Sequence, residues 1–136
     1  MDGVMRIGRG FWVLALLWAA IIFTLSSIPG KSLPPLPDGM NADKLLHAAV
    51  YAVLGSTCFL AARNTWPARP WRIVLGCTLG VVAYGISDEL HQSLVPGRSP
   101  DLMDVAADGV GGLSGTVLTA LLFRFGKWQR PHVRAL

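Results

Sequence analysis

A chain of 136 residues with 52% hydrophobic and 15% charged side chains is one domain at most, and too apolar for a soluble core, where roughly 25% of residues are charged. Its net charge of +4 and pI near 9.6 follow from basic residues at the ends and turns of apolar runs. The basic segment 125–134 reads as a topology anchor near anionic lipid, not a nucleic-acid patch.

The first apolar run, residues 10–28, contains no charge and exceeds the h-region of a signal peptide; no small-x-small cleavage pattern follows it. It is expected to be retained as a membrane span, which needs about 20 helical residues. Residues 29–39 carry Pro29, Pro34, Pro35 and Pro37, and the missing donors and fixed φ predict an irregular loop without helix. Residues 44–62 form the second run, 64–70 a short polar turn, 71–94 the third run and 102–125 the fourth. The predicted fold is an all-α membrane protein, one domain over 1–136 with four transmembrane helices.

Nine of the twelve basic residues precede the first span, follow the fourth or lie between the second and third; Lys31, Lys44 and Arg98 are on the other side. The positive-inside rule therefore places both termini in the cytoplasm. Seven of the eight acids, all but Asp2, fall in or near the opposite, outward half.

The outward half also holds the residue types that chemistry requires. Asp43, His47 and Tyr51 recur every four residues in span two, so they form one stripe. Tyr84, Asp88, His91 and Gln92 are similarly spaced in span three, with Glu89 beside them, and Asp101, Asp104 and Asp108 in span four. An ionisable group inside a bilayer costs about 2.5–3.5 kcal/mol on insertion scales. The three stripes are therefore expected to converge on one wet pocket.

Simpler roles compete at each position. Asn41 or Asp43 suits the cap of span two. Ser99-Pro100-Asp101 suits the start of span four, a cap followed by proline at the first helical position. Lys44 can snorkel to the headgroups. The His and acid group as a whole can be an ion-pair network that ties helices together. Gly111 and Gly115, with Ala107 one turn earlier, let a helix backbone approach closely. Span three, through Gly76 and Gly80, is the expected partner, and a homo-oligomer face is the alternative. Cys58 and Cys77 read as free packing thiols on the inner side.

Asp43-Lys44-x-x-His47-x-x-x-Tyr51, Asp88-Glu89-x-His91-Gln92, Pro96-Gly97-Arg98-Ser99 and Asp104-x-x-x-Asp108-x-x-Gly111-x-x-x-Gly115 together resemble the VanZ-like family of small integral membrane proteins. The match runs over nearly the whole chain; it departs at Asp108, where the family more often has Asn. The resemblance implies a four-span fold in a bacterial cytoplasmic membrane. It also implies a loose association with lowered susceptibility to glycopeptides such as teicoplanin. It supplies no reaction.

Three chemistries fit the residues. An enzyme acting on an anionic lipid headgroup or lipid-linked envelope precursor would use Lys44 and Arg98 to hold the anion. It would use His47 or His91 as base or nucleophile, with Asp88, Glu89 or Asp104 orienting the imidazole. Asp43, Tyr51, Gln92 and Asp108 would position substrate. A non-enzymatic lipid binder or transporter would use the same residues but depend on Arg98 and Lys44 more than on either histidine. A divalent metal on His47, His91, Asp88, Glu89 and Asp104 is the third option, although no compact ligand motif is present.

Overall fold

The computed structural model describes residues 2–33 and 42–125, with side chains over 7–33 and 42–123. Asn41, Asp38, Pro34, Pro35, Pro37 and the basic tail beyond Phe125 lie outside the described residues. Four helices follow in order: α1 (Asp2–Ser26), α2 (Ala42–Thr65), α3 (Pro70–Gln92) and α4 (Leu102–Phe125). Each contains a stretch of 20 to 24 residues long and apolar enough to cross a membrane. Together they give a multi-pass, all-helical architecture, as the hydropathy pattern predicts.

The distribution of side chains is the reverse of a soluble protein's. Leu16, Leu79, Leu118 and Leu122 are well exposed, whereas Asp88, Glu89, Gln92, Asp104, Asp108 and Thr116 are buried. Such an arrangement is stable only where the surrounding solvent is hydrocarbon.

Helix boundaries follow local chemistry. Pro70 opens α3 at its first turn, where its missing N–H breaks no helical bond. Helix α4 begins two residues later than Ser99-Pro100 suggests: Asp101 is the cap, accepting the Met103 N–H at 2.8 Å through Oδ1, and Pro100 stays outside. The loop after α1 also departs from expectation, because Gly30–Ser32 form one 3-10 turn. Pro29 precedes that turn and residues 30–32 keep their own N–H donors, so nothing there forbids it.

Helix α2 is the hub, in contact with α1, α3 and α4, while α1 and α3 barely touch. Ile22, Tyr51, Leu54 and Val81 form one apolar cluster, and Phe59, Ala62 and Ile73 a second, nearer the α2–α3 turn. Part-buried hydrogen bonds tie the helices. Trp18 Nε1 donates to Val50 O at 2.9 Å, Ser56 Oγ to Gly115 O at 3.2 Å, and the Thr78 and Thr116 hydroxyls meet at 3.2 Å. In membrane interiors each such bond contributes about 0.6 kcal/mol.

The glycine stripe of α4 requires a correction. Gly111 and Gly115 lie against the backbone carbonyls of Ala48 and Ala52, and Gly55 against that of Gly112. The closest partner is therefore α2, not α3, and this face is covered within the chain. Among the described residues Gly76 and Gly80 oppose nothing: a Cβ on either would meet no atom within 4 Å. Helix α3 instead meets α4 through Gly85, whose Cα side abuts Asp108.

Candidate functional site

The ends of α1 and α3 and the starts of α2 and α4 meet at one end of the bundle. At that end a cavity of about 210 Å³ opens between α1, α2 and α3. It is lined by Ser26, Asp43, His47, Tyr51, Asp88, Gln92 and Arg98, with Ile22, Leu46 and Val50 among the apolar walls. The α2 stripe Asp43, His47 and Tyr51 thus shares one wall, as its four-residue spacing predicts, and Asp88 and Gln92 of α3 face it.

Behind His47 is Asp108. Its Oδ1 lies 2.9 Å from His47 Nδ1, and Asp108 is fully buried between α2 and α3. A carboxylate on Nδ1 fixes the ring and leaves Nε2 as the other nitrogen, 3.9 Å from Oδ1 of Asp43, which also lines the cavity. An Asn at position 108, as the resemblance suggests for relatives, could accept the same bond through its amide oxygen. Across the cavity Ser26 Oγ donates to Asp88 Oδ2 at 2.7 Å, and Gln92 Nε2 donates to the same oxygen at 3.0 Å. Tyr51 Oη, Asp88 Oδ1, Glu89 Oε1 and Asp108 Oδ2 are buried without a hydrogen-bond partner among the described residues.

A second cluster sits beside the cavity, between the first turns of α2 and α4. Lys44 Nζ reaches Asp101 Oδ2 and Asp104 Oδ1, each at 2.6 Å, and Asp43 Oδ2 at 3.5 Å. The Asp104 contact is an ion pair rather than an aligned hydrogen bond. The ammonium, aided by the Met103 N–H, holds the Asp101 carboxyl below its ordinary range. Glu89 Oε2 accepts the Asp101 N–H at 2.9 Å, so α3 also clamps the start of α4.

Arg98 is positioned by a backbone contact between two loops. Gly97 has φ +76°, a conformation glycine adopts without strain, and the Gly30 N–H donates to Pro96 O at 3.1 Å. Arg98 then donates from Nε to Ile28 O and from Nη2 to Leu25 O, both at 3.3 Å. A cation on the last carbonyls of α1 complements the helix dipole. Two of the fork's five N–H donors are thereby spent on backbone, and the residue is one of those that line the cavity.

The sequence-predicted residues therefore separate into three groups. Asp43, His47, Tyr51, Asp88, Gln92 and Arg98 line the cavity. Lys44, Glu89, Asp104 and Asp108 surround it without lining it. His91 is apart: its Nε2 lies 2.9 Å from Ser27 Oγ and its ring stacks on Phe23 at 4.4 Å. Ser26 is the member sequence reasoning missed, since a serine at the end of an apolar run carries no distinguishing signal.

For a metal, Asp43, His47 and Asp104 offer ligand atoms within 4.8 Å of one another. This set shares only His47 and Asp104 with the five residues expected from sequence. The Lys44 ammonium already occupies Asp104 Oδ1, and a metal ion would have to displace it.

Four membrane-length helices around a polar pocket at one end define a small multi-pass membrane protein whose buried acids meet a half-buried imidazole and guanidinium. The family model described as VanZ/LLP1 matches residues 11–124. The chain belongs to that family. No curated protein and no solved structure matches it.

Proposed function

We propose that the cavity receives the headgroup of a membrane lipid or lipid-linked envelope precursor at the outer face of a bacterial cytoplasmic membrane, and that His47 acts there as general base. The observation that carries this reading is the pairing of His47 Nδ1 with buried Asp108, beside a cavity that Arg98 also lines. A structural histidine needs no carboxylate behind one nitrogen and a cavity before the other. The distribution of basic residues supports the outward orientation, and the family's association with glycopeptide resistance suits an envelope substrate.

In this reading Arg98 binds the anionic group through N–H donors not spent on α1. Tyr51 and Gln92 orient the headgroup, and Asp43 and Asp88 accept hydrogen bonds from its hydroxyl or amine groups. His47 Nε2 takes the proton of the attacking water or acceptor hydroxyl while the bond to the leaving group breaks. Lys44, expected to bind the anion, is committed to three carboxylates. This favours a second reading for that part of the constellation alone: Lys44, Asp101 and Asp104 form a clamp between α2 and α4.

Purified protein incubated with envelope lipid extract and followed by mass spectrometry tests the assignment. His47→Ala is expected to lower turnover by about 100-fold or more, the usual contribution of a positioned base, while lipid still co-purifies. Arg98→Ala is expected to reduce lipid retention itself. Unchanged lipid chemistry in both wild type and His47→Ala, with retention that depends on Arg98, would make the protein a binder or transporter. Full function in both variants, with only a lower melting temperature, would leave a structural network.

A further inference from the structure

A second cavity, of about 540 Å³, lies toward the other end of the bundle, between α1 and α3. We propose that it holds one acyl chain of a phospholipid from the leaflet on the side of the α2–α3 turn, with the lipid phosphate on Arg72. This site is separate from the polar cavity and does not depend on the function proposed for it.

The room comes from two glycines. Gly76 and Gly80 line the groove, and neither has an atom within 4 Å of where a Cβ would stand. Glycine on a helix costs about 1 kcal/mol relative to alanine, and here no neighbouring helix uses the space it leaves. Because α1 and α3 barely touch, the groove is open along its side to the surrounding hydrocarbon.

The lining suits a chain and not water. Two of its polar side chains are satisfied elsewhere: Trp12 Nε1 donates to Thr65 Oγ1 at 3.0 Å, and Tyr84 Oη to Ala19 O at 2.7 Å. From Arg72 to Tyr84 the groove follows α3 for about 18 Å at 1.5 Å per residue. One leaflet of a 30 Å hydrocarbon core is about 15 Å deep. A chain entering at Arg72 would thus end near the bilayer midplane, below Tyr84.

The charge identifies the headgroup. Arg72 is the single charged residue among the described lining residues, it is exposed, and Arg69 lies exposed one turn away. Trp12 and Trp66 pack edge to face at 5.4 Å beside this mouth, the amphipathic pairing found at headgroup level. Arg72 sits over the Trp71 ring at 5.3 Å, and this exposed cation at the mouth of an apolar slot complements a phosphate with its chain beneath.

The test is native mass spectrometry of the full chain released from nanodiscs of phosphatidylglycerol and phosphatidylcholine in equal parts. Wild type is expected to retain one phospholipid, predominantly phosphatidylglycerol. Gly76→Leu with Gly80→Leu fills the slot and should lower that occupancy by about tenfold or more, with helical circular dichroism unchanged. Arg72→Gln should keep the chain but erase the preference for phosphatidylglycerol. Unaltered occupancy in the double leucine variant overturns the proposal, as does a dimer that the same variant dissociates, since a second copy would then fill the groove. An unchanged lipid ratio in Arg72→Gln overturns the phosphate assignment.

Discussion

Replacing Gly111 with alanine is expected to destabilise the bundle by about 2–3 kcal/mol, the upper part of the range for overpacked interiors. The added methyl would collide with the Ala48 carbonyl. A backbone atom cannot rotate away as a side chain can, so α2 and α4 must separate as units. Separation also strains the Ser56 to Gly115 bond and the Lys44 clamp that join the same two helices. Gly10→Ala supplies the control, because nothing among the described residues lies within 4 Å of a Cβ there. The same change at that position should be neutral or stabilise by up to about 1 kcal/mol through helix propensity. Thermal unfolding in detergent reads both. Equal effects at the two positions would mean that α2 and α4 do not pack as described.

Lys44→Met is the second large change. Asp104 retains only 10% of its side-chain exposure and Lys44 28%, so the pair lies between the exposed and buried limits. Exposed pairs contribute about 0.2–1 kcal/mol, whereas stranding one buried partner costs about 3–5 kcal/mol. With Asp104 left unpaired in a membrane-embedded bundle, a loss of about 3 kcal/mol is expected. Adding Asp104→Leu should restore much of it, because removal of both partners leaves no buried charge. A double variant no more stable than Lys44→Met would show that Asp104 does not depend on that ammonium.

These two expectations mark where the sequence was readable. Hydropathy and length located all four spans, since a bilayer imposes the same constraint on any helix. The Asp43, His47, Tyr51 stripe was legible because residues four apart share a face. Span three also carried a distinction that the motif conceals. At about 100° per residue, Glu89 and His91 turn to opposite sides of Asp88, so one meets α4 and the other α1. Which neighbour stands on each side is tertiary information, and only the fold separates His91 from the cavity. The glycines show the same limit: Gly111 and Gly76 look alike as small residues in spans, yet one touches a backbone and the other borders open space. Lys44 was ambiguous for a related reason. Its three acids come from two helices, and the approach of α4 decides that the ammonium points inward, not toward headgroups.

Thiol accessibility in intact cells tests the central claim most directly. With Cys58 and Cys77 replaced by serine, Val50→Cys places a thiol on the wall of the polar cavity, and Thr116→Cys places one at a fully buried site between α3 and α4. A wet pocket open to the exterior predicts that a small, membrane-impermeant thiol reagent added outside modifies Val50→Cys and spares Thr116→Cys. Modification of Val50→Cys solely in inverted vesicles, or in neither orientation, would contradict an outward-facing, hydrated site.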